Sequence, residues 1–316
     1  MGAKVKIKAI RVTNEAVNIT VLLVILLLFV FGSYAMWDSR QVYRAADAAR
    51  YAIYKPTGDD GGLSFKELQA INPDVFAWLT VYGTHIDYPV VQGPENMKYV
   101  NTNAEGKYSL SGAIFLDSNN SKDFSDFSSI LYGHHMEKST MFGEIGSFVD
   151  KAFFDARRYG MLYYNGQEHG LEFFAFVRAD AYDNSVYRTK VGEEARQAYL
   201  ELLLSKALHT RDIPVTVEDR IVLLSTCSAS STNGRDILVG RITDSTYDDL
   251  FETKDTNESG STLKVDGLPG FWARLPLWAK LVMPGMVLLP LLLLFLTKNK
   301  RQSKRKSQPK KNAARR

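Results

Sequence analysis

The sequence holds a single cysteine, Cys227, in 316 residues. A disulfide within the chain is therefore excluded, and with it any fold stapled by cross-links. Acidic side chains are missing from both ends. Residues 298–316, KNKRQSKRKSQPKKNAARR, carry ten basic residues and no acid, and Lys4, Lys6, Lys8 and Arg11 add four cations at the other terminus. Removing these fourteen from the formal net charge of +4 leaves −10 for residues 12–297. An acidic body is a poor partner for nucleic acid, and only the tail has the charge for one. Charge of either sign is missing from residues 19–37, ITVLLVILLLFVFGSYAMW. No internal repeat is visible.

What is present begins with that apolar run, which is about as long as a bilayer-spanning helix requires. Two readings fit it: an uncleaved anchor, or a secretion signal cut after the small-x-small triplet Ser33-Tyr34-Ala35. Residues 281–296, LVMPGMVLLPLLLLFL, form a second apolar run. It reaches spanning length only as residues 275–297, with Lys280 snorkelling to the interface, Pro284 and Pro290 as tolerated kinks, and Trp272 and Trp278 in an interfacial belt. Both basic clusters lie beyond the chain-terminal ends of these runs. The positive-inside rule then predicts a two-pass membrane protein with cytoplasmic termini and the intervening segment outside. A lone thiol in an oxidising exterior is buried and inert, paired with another chain, or reactive.

With 45% hydrophobic and 12% aromatic residues overall, the exterior segment can fold. Residues 38–75 are predicted as a helical appendage. Residues 40–54 are alanine-rich and helix-prone, the KPTGDDGG break follows, and Ser64 and Glu67 stand at capping-box spacing in a second helix. Residues 76–254 read as mainly β. Short strands are expected at residues 78–92, 112–117, 129–132, 160–164, 170–182, 220–226 and 236–242, separated by turn-rich loops. One inserted helix is expected at residues 193–208, with Tyr199, Leu202, Leu203 and Leu208 on its apolar side. So many short strands suit a small closed barrel. Residues 255–274 read as a polar linker, and 298–316 as a basic cytoplasmic tail matching the basic N-terminus at 1–18.

Cys227 ends the apolar strand IVLLSTC and opens the loop SASSTNG. A strand end opening into a loop is a common place for a reactive group, although buried cysteine is also a small hydrophobe. A nucleophilic thiol needs a base or a cation beside it. Of five histidines, His134 and His135 follow the strand end SILYG. His169 falls in the expected hairpin turn NGQEHG and is read as solvated. His209 ends the predicted helix, where it would complement the dipole. His85 sits in a predicted strand and is read as packing. Metal ligation by the 134/135 pair is the other sharp reading, but adjacent strand residues point to opposite faces and nothing nearby has ligand spacing. Arg235 opens the next strand. It would meet Cys227 if the two strands are neighbours, and is otherwise an ordinary surface arginine.

Together these pieces resemble the sortases, specifically class B. The signature of that family, Thr-Leu-x-Thr-Cys at a strand end, an arginine on the next strand and a histidine after a strand-ending glycine, is matched here by Leu223-Leu224-Ser225-Thr226-Cys227, Arg235 and Gly133-His134. IDYPVVQG at 86–93 and ILYGHHMEKSTMFGEI at 130–145 also resemble sortase sequence. Two departures stand out: Leu223 in place of the first threonine, and the C-terminal span, which class B wall-anchoring enzymes typically lack and pilus-assembling sortases have.

The resemblance implies a sortase-like closed β-barrel and a cysteine transpeptidase. Cys227, His134 and Arg235 would be catalytic, and Ser225, Thr226 and Tyr187 are candidate substrate contacts. The implied partners are a secreted protein with a C-terminal sorting signal of NPxT-G/N or LPxTG type, an amine from a peptidoglycan cross-bridge or a pilin lysine, and the bilayer. No cofactor is implied. The acidic runs at Asp59-Asp60 and Asp123 to Asp126 are explained more simply as solvated loops than as calcium ligands. A hydrolytic cysteine protease and a non-catalytic surface binding domain are the rival classes.

Overall fold

A computed structural model describes residues 2–251, apart from 57–62, 138 and 229–231. The expected linker at 255–274, the second span at 275–297 and the basic tail at 298–316 lie outside the described residues, as does Asp59-Asp60.

Helix α1 (Gly2–Ala46) contains the first apolar run, and its section Ile10–Ala46 is long and apolar enough to cross a membrane. That section measures roughly 55 Å at the helical rise. The alanine-rich segment after the run, expected from its composition to be a helix, does not form one of its own. Its first part continues α1, and the rest is two single 3-10 turns, Ala48–Arg50 and Ala52–Tyr54. Asp47 makes the break: its backbone is extended and its carboxylate accepts from Ala49 N–H at 3.0 Å. Helix α2 (Leu63–Ile71) starts one residue before Ser64, whose hydroxyl donates to Lys55 O at 3.1 Å.

Among the described residues nine strands follow: β1 (Val75–Val81), β2 (Asp87–Val91), β3 (Ile114–Leu116), β4 (Ser128–Tyr132), β5 (Tyr159–Tyr164), β6 (Gln167–Asp180), β7 (Ala207–Thr210), β8 (Arg220–Cys227) and β9 (Gly234–Thr243). Eight of them close a barrel in the order β5-β1-β2-β3-β4-β8-β9-β6, with β6 returning to β5. Closure leaves no open edge in that ring. β6 makes closure possible by its length. β9 lies along one edge of it, while the other edge takes β5 and then the short β7. The predicted strand at 78–92 is in fact two, split by a turn in which Gly83 has φ +74°.

β8 and β9 are apolar on both faces because both faces are covered. Val222, Leu224 and Leu238 point into the barrel with Trp78, Leu131 and Phe176. Ile221, Leu223, Ile237 and Val239 point outward, beneath Tyr199 and Leu203 of helix α4 (Glu193–Ser205), which follows the short helix α3 (Lys151–Ala156). Leu223 thus occupies a packing position. α4 ends earlier than predicted: Leu208 is half exposed and belongs, with His209, to β7. His209 therefore does not serve a helix end; its Nε2 donates to Val149 O at 2.7 Å.

Buried Glu172 on β6 holds two arginines, Arg158 at 2.6 Å and Arg241 at 2.7 Å. Removing the carboxylate takes a shared partner from both cations, one of which, Arg241, keeps a hydrogen bond to Pro214 O. Glu172→Ala is expected to lower stability by about 3 kcal/mol, read from urea unfolding of the detergent-solubilised protein. On the loop before α4, the ion pair with Lys206 at 2.8 Å, together with Ser185, pulls the Asp183 carboxyl from its ordinary 3.8 to about 2. A depressed folded-state pKa contributes stability above about pH 4 that is lost towards pH 2. The melting temperature of Asp183→Asn should therefore fall below wild type at pH 5 to 7 and converge with it near pH 2.

Candidate active site

The site is built by strand pairing. β4 and β8 run parallel and in register from Ser128↔Ile221 to Tyr132↔Ser225. Gly133 N–H extends the ladder by donating to Ser225 O at 3.2 Å. Two residues past the last pair, His134 and Cys227 leave their strands at the same end. β8 and β9 are antiparallel, and the last pair of their ladder is Cys227↔Arg235. Cysteine, histidine and arginine thus stand on three adjacent strands. They surround one cavity of about 240 Å³, also lined by Val100, Phe115, Tyr132, Gly133, Ser225 and Thr226.

Cys227 is exposed, so the inert-core reading of the thiol does not hold. His134 Nε2 lies 2.8 Å from Val100 O. A carbonyl only accepts, so Nε2 carries a proton in this arrangement and Nδ1 is left for proton transfer. Arg235 makes no ion pair among the described residues; its Nη1 donates to Gly234 O at 3.0 Å. The rest of the fork is available to a substrate oxygen.

Gly133 is required by packing rather than by a turn needing unusual backbone angles. A Cβ there would lie 2.5 Å from Ile114 Cδ1 and 2.7 Å from the Phe142 ring. Ser225 shares the outward face with Cys227, and its Oγ is 2.9 Å from Tyr187 Oη. Burial pushes the Tyr187 phenol up to about 12, so it stays neutral. The Tyr187 ring stacks on Tyr132 at 6.3 Å, behind the cavity. Tyr132, whose phenol burial and Asp117 also push upward, donates to Asp117 Oδ2 at 3.1 Å. Thr226 also lines the cavity, but its hydroxyl is buried, with no hydrogen-bond partner among the described residues.

The other histidines lie elsewhere. His85 is not in a strand but in the β1–β2 turn, exposed and 3.1 Å from Glu144. His169 is not a solvated turn residue. It lies within β6, stacked on Tyr164 at 4.1 Å, and burial lowers its pKa. Sequence reasoning missed Val100, Phe115 and Tyr132. Tyr132 was within reach, being the residue before Gly133. Val100 contributes a backbone carbonyl, which has no signature in sequence.

No family model matches the chain. The chain is 31% identical over 180 residues to sortase B of Staphylococcus aureus, covering 56% of this chain and 74% of that protein. Among solved structures, sortase B from the type II pilus of Streptococcus pneumoniae is 49% identical, with a TM-score of 0.51 over 57% of this chain and 99% of its own. A Streptococcus pyogenes class B sortase involved in pilus biogenesis is 41% identical, with a TM-score of 0.53 over 57% of this chain and 98% of its own. With the barrel, the lone strand-end cysteine and its histidine and arginine neighbours already in place, these similarities make the chain a member of the class B sortases, which are cysteine transpeptidases.

Proposed function

We propose that Cys227, His134 and Arg235 carry the transpeptidation, and that the substrate is a secreted protein with a C-terminal sorting signal of NPxT-G/N or LPxTG type. The observation that carries this reading is the convergence of the three side chains at one barrel end, around one cavity. The Cys227 thiolate attacks the threonine carbonyl, and the oxyanion that forms is met by Arg235. As the threonine carbon–nitrogen bond breaks, His134 gives its proton to the leaving amine. The products of this half-reaction are a thioester on Cys227 and a free C-terminal fragment. An incoming neutral amine then attacks the thioester, His134 takes its proton, and the carbon–sulfur bond breaks to restore the thiolate. A new amide joins the two partners, and neither half-reaction needs an oxidant or reductant.

The acceptor we favour is a lysine of a pilin rather than a peptidoglycan cross-bridge. Support comes from the two pilus-associated relatives, which share 49% and 41% identity with this chain against 31% for the staphylococcal enzyme. The apolar part of α1 supports anchoring in the membrane, with the barrel on the outer face.

Incubated with NPxTG, NPxTN and LPxTG peptides and a lysine-containing acceptor, the enzyme should show a peptide thioester on Cys227 by mass spectrometry that passes to the amine. An adduct that only hydrolyses would favour a protease instead. Cys227→Ala should abolish the adduct, and His134→Ala and Arg235→Ala should each lower kcat by about 100- to 1000-fold. In intact cells a membrane-impermeant maleimide should label Cys227; protection by the membrane would overturn the external placement.

A further inference from the structure

Each proposed catalytic residue on β9 and on the β4 loop has a neighbour in sequence that turns the other way. Arg235 faces the cavity, and Asp236 faces the barrel interior, 1% exposed. His134 lines the cavity, and His135 turns inward with its Nδ1 buried and without a hydrogen-bond partner among the described residues. The two inward side chains meet at Gly146. A methyl group built there would lie 3.3 Å from Asp236 Oδ2 and 3.7 Å from His135 Cε1. Arg178 Nε donates to the other oxygen, Oδ1, at 2.8 Å. Thr226, paired across the ladder with Asp236, adds a buried hydroxyl that also lacks a partner among the described residues.

Buried polar atoms are rarely left unpaired, and a cluster of them beneath a reaction site calls for a cause. A donor-bearing imidazole and an acceptor carboxylate on either side of a side-chain-free gap are complementary, directly or through one water. We propose that His135 and Asp236 are a positioning pair, coupling the catalytic-histidine loop to the catalytic-arginine strand from inside the barrel. Because each is bonded in sequence to the residue it serves, moving either one moves His134 or Arg235. A displacement near 1 Å is enough to cost about 100-fold in rate. The inference rests on the roles proposed for His134 and Arg235. It adds that their separation is held by contacts on the face of the sheet that substrate does not touch.

The test uses the full chain in detergent with a sorting peptide and amine acceptor. His135→Gln and Asp236→Asn are each expected to lower kcat by about 10- to 100-fold, with the sorting-peptide KM unchanged. The double variant should be no slower than the slower single one, since the second change removes a contact already lost. Gly146→Ala, whose methyl fills the gap, should reproduce the kcat-selective loss if the polar variants fail to fold. Multiplying losses in the double variant, a kcat equal to wild type, or a loss confined to KM would each overturn the pair. If the wild type transfers no peptide, the substrate reading has failed, and the pair is then decided without substrate. The imidazole ¹⁵N resonances of His135 should shift in Asp236→Asn; resonances identical to wild type would overturn it.

Discussion

The parallel pairing of β4 with β8 is the constraint on which the site depends. Parallel neighbours finish at the same end of a sheet, whereas antiparallel neighbours finish at opposite ends. The residues following Tyr132 and Ser225 therefore emerge together, and His134 comes level with Cys227 although β5, β6, β7 and two helices intervene in the chain. β9 then runs back from that same end, so its early residue Arg235 completes the set. A one-residue slip of β8 would turn Cys227 to the barrel interior and bring Thr226 outward. The apolar residues on both faces of β8 oppose such a slip only through detailed packing, so the two cores help set the geometry of the site.

Those cores explain how a strand end can be both rigid and open. Inside the barrel, Val222 and Leu224 are locked among aromatic side chains; outside, Ile221 and Leu223 lie beneath α4. The strand is held from both sides up to Ser225, which Tyr187 clasps through its hydroxyl. Beyond buried Thr226 the packing stops, and Cys227 is exposed. The thiol at such a place is held by the packing of the residues before it in the strand. The chain can also spare every other cysteine, because packing and barrel closure do the work that cross-links do in smaller extracellular domains.

Much of this was legible in the sequence, and the misses share a cause. Strand ends at Tyr132 and Cys227, the loop after Cys227 and the apolar run of α1 are local patterns, and they were read close to where they occur. The histidines were harder. His85, His169 and His209 were each assigned to the wrong kind of element, by shifts of a few residues in where a strand or helix stops. Gly133 stands in the sequence only as a strand-ending glycine, whereas Ile114 and Phe142 leave no room for a side chain there. Neither crowding residue is adjacent in sequence, so the requirement is invisible until the strands are assembled.

By itself the sequence determined which segments alternate, which stretch can cross a bilayer, and that one thiol stands where a strand gives way to a loop. These depend on residues close to one another along the chain. Only the tertiary structure decided that β4 neighbours β8, that Val100 O holds the His134 ring, and that His135 and Asp236 turn towards Gly146. Each of those is a pairing between distant segments. Its register follows from burial on two faces of a closed sheet, which no local pattern records.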